Sequence, residues 1–119
     1  MLKTRKRYDC ANGCPVEATL DLIGGKWKGV ILFHLLSGTL RFNQMRRQIP
    51  SATQRMLTLQ LRELEEAGLV RRHVYPQVPP RVEYSLTDEG RSLEPLLHFM
   101  QAWGKKRIAQ MQMAQRRVA

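Results

Sequence analysis

A chain of 119 residues, 43% of them apolar, has room for one compact domain with a real core, which argues against global disorder and against a second domain within it. Twenty Lys and Arg against ten Asp and Glu leave a formal charge of +10, a field that attracts polyanions, nucleic acid first and an anionic membrane surface second. No apolar run approaches the ~20 residues of a membrane span, no apolar segment follows the basic Lys3, Arg5, Lys6 and Arg7 as in a secretory signal, and Cys10 and Cys14 are too few for a disulfide framework, so a cytoplasmic protein is expected.

Pro15 suits a first helical turn and Glu17 suits its positive end, so a short helix opens here. Val16, Leu20 and Ile23 give it an apolar side, and Gly24-Gly25 stops it. A second helix starts at about Lys26, carries Trp27, Val30, Ile31, Leu35 and Leu36 at helical spacing, and ends at Ser37-Gly38. Arg41-Phe42 leads into Asn43, a good N-cap, and residues 44–49 read as a short helix with Met45 and Ile49 inward. Pro50-Ser51 turns the chain. Ser51 or Thr53 caps the next helix, which runs to Ala67 and closes at Gly68. Leu57, Leu61 and Leu64 fall at i, i+4 and i+7 and face the core. Ala52, Arg55, Leu59, Arg62 and Glu66 point the other way, with Gln54 and Thr58 at one flank.

The period then changes. Residues 69–75 and 82–86 are rich in β-branched and aromatic types, and Val82, Tyr84 and Leu86 alternate with Glu83 and Ser85. The Pro-rich stretch 76–81 joins them into a hairpin. Thr87 caps a long final helix whose Leu93, Leu96, Leu97, Met100, Trp103 and Ile108 form a helical stripe, and the polar end from Gln110 is expected to fray. The order is helix, helix, helix, turn, helix, hairpin, long helix. The predicted fold class is mainly α with a small β-hairpin wing, a winged helix-turn-helix. Its organisation is a basic arm at 1–13, the folded domain at 14–112 and a tail at 113–119.

Charge is unevenly spread along that order. Residues 22–62 hold seven basic residues and no acid, and residues 67–82 hold three more Arg and no acid. The acids cluster elsewhere, chiefly at Glu63, Glu65 and Glu66 and from Glu83 onward. A one-signed stretch through contiguous elements points to a binding face, against the bland alternative of a scattered solvated surface. A helix-turn-helix places its second helix in the major groove, and a basic hairpin reaches the flanking backbone or minor groove.

The same residues resemble the HxlR-type winged-helix regulators, a bacterial family related in fold to MarR-type regulators. The matching segments are Cys14-Pro15, the run Leu22-Ile23-Gly24-Gly25-Lys26-Trp27, and the run from Leu40 to Arg46. The run from Met56 to Glu65 with Gly68-Leu69-Val70, and the run from Val82 to Thr87 with Gly90, match as well. The resemblance spans about residues 14–110. It implies a homodimer with the first and last helices in the interface, operator binding at a palindrome, and bacterial cytoplasm. It also implies, for several members, a response to electrophiles or oxidants through a cysteine at the position of Cys14.

Candidate DNA-binding residues follow from geometry and chemistry. On the outward face of this helix Arg55 is expected to pair bidentately with guanine, Gln54 with adenine, and Thr58 to touch a thymine methyl, against the bland alternative of a solvated helix face. Arg62 reaches phosphate or bonds Glu66 at i+4, and Leu59 touches a thymine methyl or is an ordinary exposed Leu. Ser51 and Thr53 are caps, phosphate ligands, or both. Asn43 and Gln44 position the backbone. Of the wing residues Arg71, Arg72, His73 and Arg81, alternation forbids all four from meeting DNA, and Arg81 then Arg72 are preferred. Cys14 at a helix start favours thiolate and is the redox candidate, with Cys10 as a resolving or idle partner; the bland reading is a small inert residue. Cys10-x3-Cys14 with the scattered His34, His73 and His98 offers no four-ligand zinc spacing, so no metal or cofactor is expected. No nucleophile–base set or phosphate loop argues for an enzyme. The competing reading is a winged helix used as a protein-interaction module, which predicts a mixed-sign recognition face.

Overall fold

The computed structural model describes residues 13–118. Its elements run α1 (Cys14–Ile23), α2 (Lys28–Leu35), β1 (Leu40–Arg41), α3 (Phe42–Gln48), α4 (Gln54–Glu66), β2 (Val70–Tyr75), β3 (Arg81–Leu86), α5 (Asp88–Arg91) and α6 (Glu94–Val118). The fold is mainly helical with a hairpin wing, as the change of period predicts. One core joins Ile31, Leu32 and Leu35 of α2, Met45 of α3, the α4 stripe Leu57, Leu61 and Leu64, and Val70, Tyr84 and Leu97. Each fully buried Leu of that set stabilises the fold by about 1.5–3 kcal/mol.

Helix α4 has well-made ends. The Thr53 side chain accepts from the Met56 amide at 3.1 Å, so Thr53 and not Ser51 is the cap. At the other end Gly68 has φ +79, the left-handed conformation that glycine adopts at no steric cost. The Leu69 amide then bonds the Leu64 carbonyl and the Gly68 amide bonds the Glu65 carbonyl, both at 3.0 Å, closing a Schellman motif. Gly90 serves closeness instead: a Cβ there would meet the Leu69 carbonyl oxygen at 2.1 Å.

The structure departs from the expected elements in several places. The sheet has three antiparallel strands in the order β1-β3-β2, and β1 is only two residues long, too short to give an alternating signal. Asn43 is not a cap. Helix α3 begins one residue before it, with Arg41 extended at the cap and the Gln44 side chain accepting the Arg41 amide at 2.8 Å. Ala52 lies before α4 and is buried, so it does not share the outward face of Arg55. Thr87 caps only the short α5, accepting from the Gly90 amide at 3.0 Å. Pro95 has no amide proton to continue the ladder, so a new helix, α6, starts at Glu94. That helix continues to Val118, past the point where the polar composition predicts fraying.

The apolar sides of the first and last helices also differ from expectation. Val16 and Leu20 are exposed, as are Phe99, Met100, Trp103, Ile108 and Met111 of α6. Only Leu97 in the α6 stripe is buried. Two amphipathic helices therefore present apolar faces to solvent in a single copy, a feature that isolated globular domains keep small.

Candidate nucleic-acid interface

Helices α3 and α4, joined by the turn at residues 49–53, form the helix-turn-helix. The same leucine stripe that buries one side of α4 fixes what the other side presents. Gln54, Arg55, Thr58 and Arg62 are exposed, Leu59 with them, and together they line one shallow surface hollow. The Thr58 hydroxyl donates to the Gln54 carbonyl at 2.9 Å, which occupies its proton and leaves its oxygen able to accept. Of the acids of α4, Glu63 is turned away from this face and pairs with Lys28 of α2 at 2.7 Å, whereas Glu66 is exposed at the C-terminal end of the face. His34 and Gln48 bond at 2.9 Å and tie α2 to α3.

In the wing, pleat alternation sorts the basic residues. Arg72 lies opposite Tyr84, on the face that carries the core residues, whereas Arg71, His73 and Tyr75 lie opposite Ser85, Glu83 and Arg81 on the other face. Arg72 and Arg81, the two preferred wing residues, are thus on opposite faces. Arg81 is also engaged. Its Nε donates to Glu83 Oε2 at 2.8 Å, and its guanidinium lies 5.1 Å over the Tyr75 ring. The Tyr75 hydroxyl donates to Glu83 Oε1 at 3.1 Å. The Arg81 guanidinium holds the Glu83 carboxyl below the usual glutamate range, and the hydrogen bond to Glu83 pushes the Tyr75 phenol up.

Of the other expected site residues, Asn43 is exposed on α3 and Ser51 in the turn, and Gln44 is exposed with its amide oxygen spent on the Arg41 amide. Sequence reasoning gave no role to Arg41, Arg46 and Arg47, which are exposed around Asn43. Their presence in the acid-free stretch was the available signal. Cys14 is the first residue of α1, is not in a disulfide, and is only 4% exposed. Cys10 lies outside the described residues. Among the described residues no group of His, Cys, Asp and Glu could hold a metal ion, and no helix is long and apolar enough to cross a membrane.

Comparisons with known proteins agree with this geometry. The family model of the HxlR-like helix-turn-helix matches residues 22–112. The HTH-type transcriptional regulator YdeP of Bacillus subtilis (strain 168), itself uncharacterized, is 62% identical over 98 residues, covering 82% of this chain and 77% of its own. The redox regulator HypR superposes in its oxidized form with a TM-score of 0.75 at 63% identity, covering 78% of this chain and 96% of that one. In its reduced form the values are 0.78 and 59%, over 82% and 97%. Quinone-bound YodB from B. subtilis superposes with a TM-score of 0.65 at 34% identity, over 77% and 97%.

Proposed function

Because this chain belongs to the HxlR-like helix-turn-helix family of transcriptional regulators, which are not enzymes, we propose that it represses transcription by binding a palindromic operator as a homodimer. The outward face of α4 carries the reading: Gln54, Arg55, Thr58 and Arg62 stand clear of packing within a segment that has no acid between residues 22 and 62. Arg55 and Gln54 read base edges in the major groove. Ser51, Thr53, Asn43 and Arg62 fix register on the phosphates. Arg72 serves the flanking backbone, and Arg81 does so in the orientation that Glu83 imposes. A second copy supplies the other recognition helix, about 34 Å away on the same DNA face. The exposed apolar sides of α1 and α6 are the surfaces that copy would cover. Against a protein-interaction module, for which a mixed-sign face is expected, the outward face of α4 carries no acid from Gln54 to Arg62, and Glu66 stands only at its far end. The protein acts in the cytoplasm, where its operator is.

The signal in this reading is an oxidant or electrophile acting at Cys14. Support comes from the redox and quinone states in which HypR and YodB have been solved and from the place of Cys14 at the start of α1. Burial of that thiol requires the start of α1 to open before reagent reaches it. The test is fluorescence anisotropy on a duplex from the region upstream of the gene. Expected are nanomolar-range binding, a steep fall with salt, and a protected palindrome in footprinting. Binding that ignores salt, or that is absent at low salt, overturns the proposal. A quinone or peroxide should change the affinity of the wild type and not of Cys14→Ser; an equal response in both removes the switch.

A further inference from the structure

A second basic feature lies beside the recognition face and is built differently from it. Strand β1 ends opposite Glu83, because Arg41 is its last residue and Phe42 already belongs to α3. The edge of β3 at Arg81 and Val82 therefore has no strand beside it on that side. A cleft of about 500 Å³ opens there between the wing and α3. Arg41, Asn43, Gln44 and Arg47 wall it from the helix side, and Gln77 and Arg81 wall it from the wing.

The electrostatics of this cleft are one-sided. Arg41 and Arg47 are exposed, and among the described residues neither forms an ion pair. Arg81 is fixed by Glu83 and by the Tyr75 ring. Glu83 also faces Arg41 across the β1–β3 pair and His73 across the β2–β3 pair. It is one carboxylate among three guanidinium groups, so the cleft stays positive while Arg81 loses its freedom to swing away. Asn43 and Gln77 add neutral amides at the mouth. Gln44 serves by holding the Arg41 backbone. Such a set recognises a singly charged, multiply accepting oxyanion, and it does so without reading sequence.

We propose that this cleft seats a phosphodiester segment of the DNA backbone beside the groove that α4 enters, with Arg41 and Arg47 as its phosphate ligands and Glu83 as the residue that positions Arg81. The inference rests on the DNA-binding reading above and adds to it a non-sequence-reading site.

The experiment compares wild type, Arg41→Ala, Arg47→Ala, Arg47→Lys and Arg55→Ala, each checked for folding by circular dichroism. Dissociation constants are measured for the upstream duplex and for a scrambled duplex over a range of salt. Loss of a cleft arginine should weaken both duplexes by the same factor, roughly tenfold, and lower the salt slope by about 0.9 per phosphate contact, about 1.8 for two copies. Arg47→Lys should keep most of the slope. Arg55→Ala should instead reduce the preference between duplexes by roughly tenfold to a hundredfold. Unchanged slope and affinity in Arg41→Ala and Arg47→Ala, with Arg55→Ala still impaired, overturns the cleft and leaves the DNA reading standing. A wild type that binds neither duplex at low salt overturns both. Inorganic phosphate separates the two sources of this chemistry: tight binding of the free ion that Arg47→Ala abolishes, with duplex affinity unaffected, overturns DNA as the ligand.

Discussion

Replacing Trp103 with Ala tests the pairing of two copies. Trp103 is 63% exposed in one copy, on the same side of α6 as Leu96 and Met100. A buried Trp covers on the order of 200 Å², so covering that fraction removes about 130 Å² from water. At ~25 cal/mol per Å² this is about 3 kcal/mol for one copy and about 6 kcal/mol for a symmetric pair, an upper bound. Half of that bound still raises the dimer dissociation constant by more than about a hundredfold. Sedimentation equilibrium over a wide concentration range reads the change directly. A dimeric wild type and a Trp103→Ala variant that dissociates at much higher concentration is the expected pair of results. A monomeric wild type, or a variant with the wild-type dissociation constant, would falsify the pairing through α6.

Other consequences follow from the core, the wing and the cap. Leu61→Ala removes a fully buried side chain where α4 meets the core and should cost about 2–5 kcal/mol in urea unfolding at fixed protein concentration; a loss under about 1 kcal/mol would mean the site collapses freely. Glu83 has its carboxyl held below the ordinary value of 4.5 by Arg81. Its contribution to stability is therefore full above 4.5 and disappears as pH falls through the lowered folded-state value. Wild type and Glu83→Gln should melt alike in strong acid and separate above that range, whereas curves that stay parallel throughout would contradict the assignment. Thr53→Ala deletes the α4 cap and should cost ~1 kcal/mol, with DNA affinity falling through the loosened helix start; an unchanged melting temperature would count against the cap.

Much of this architecture is readable in the order of residue types. The Leu57, Leu61, Leu64 stripe fixes the rotation of α4, and with it which residues stand outward, because a helix has only one phase relative to its core. The period-two alternation at Val82, Tyr84 and Leu86 likewise fixes the wing. What escapes the sequence is of two kinds. Local signals can be too short, as with the two residues of β1, or outranked, as where Pro95 breaks a stripe that reads as continuous. Other features depend on partners distant in the chain. The roles of Glu83 and Arg81 are set by strand register, which places Arg41, Tyr75 and His73 around them. The apolar faces of α1 and α6 look like core in sequence because a partner's surface and a protein interior select the same residue types.

The most direct test of sequence reading by α4 is the ratio of dissociation constants for the footprinted operator and a scrambled duplex, measured at one salt concentration for wild type and Arg55→Ala. A bidentate contact to a base is worth about 1–3 kcal/mol of discrimination, so the variant should lose roughly tenfold to a hundredfold of that ratio while still binding the scrambled duplex. A wild type with no preference, or an Arg55→Ala variant that keeps the full ratio, would contradict the account.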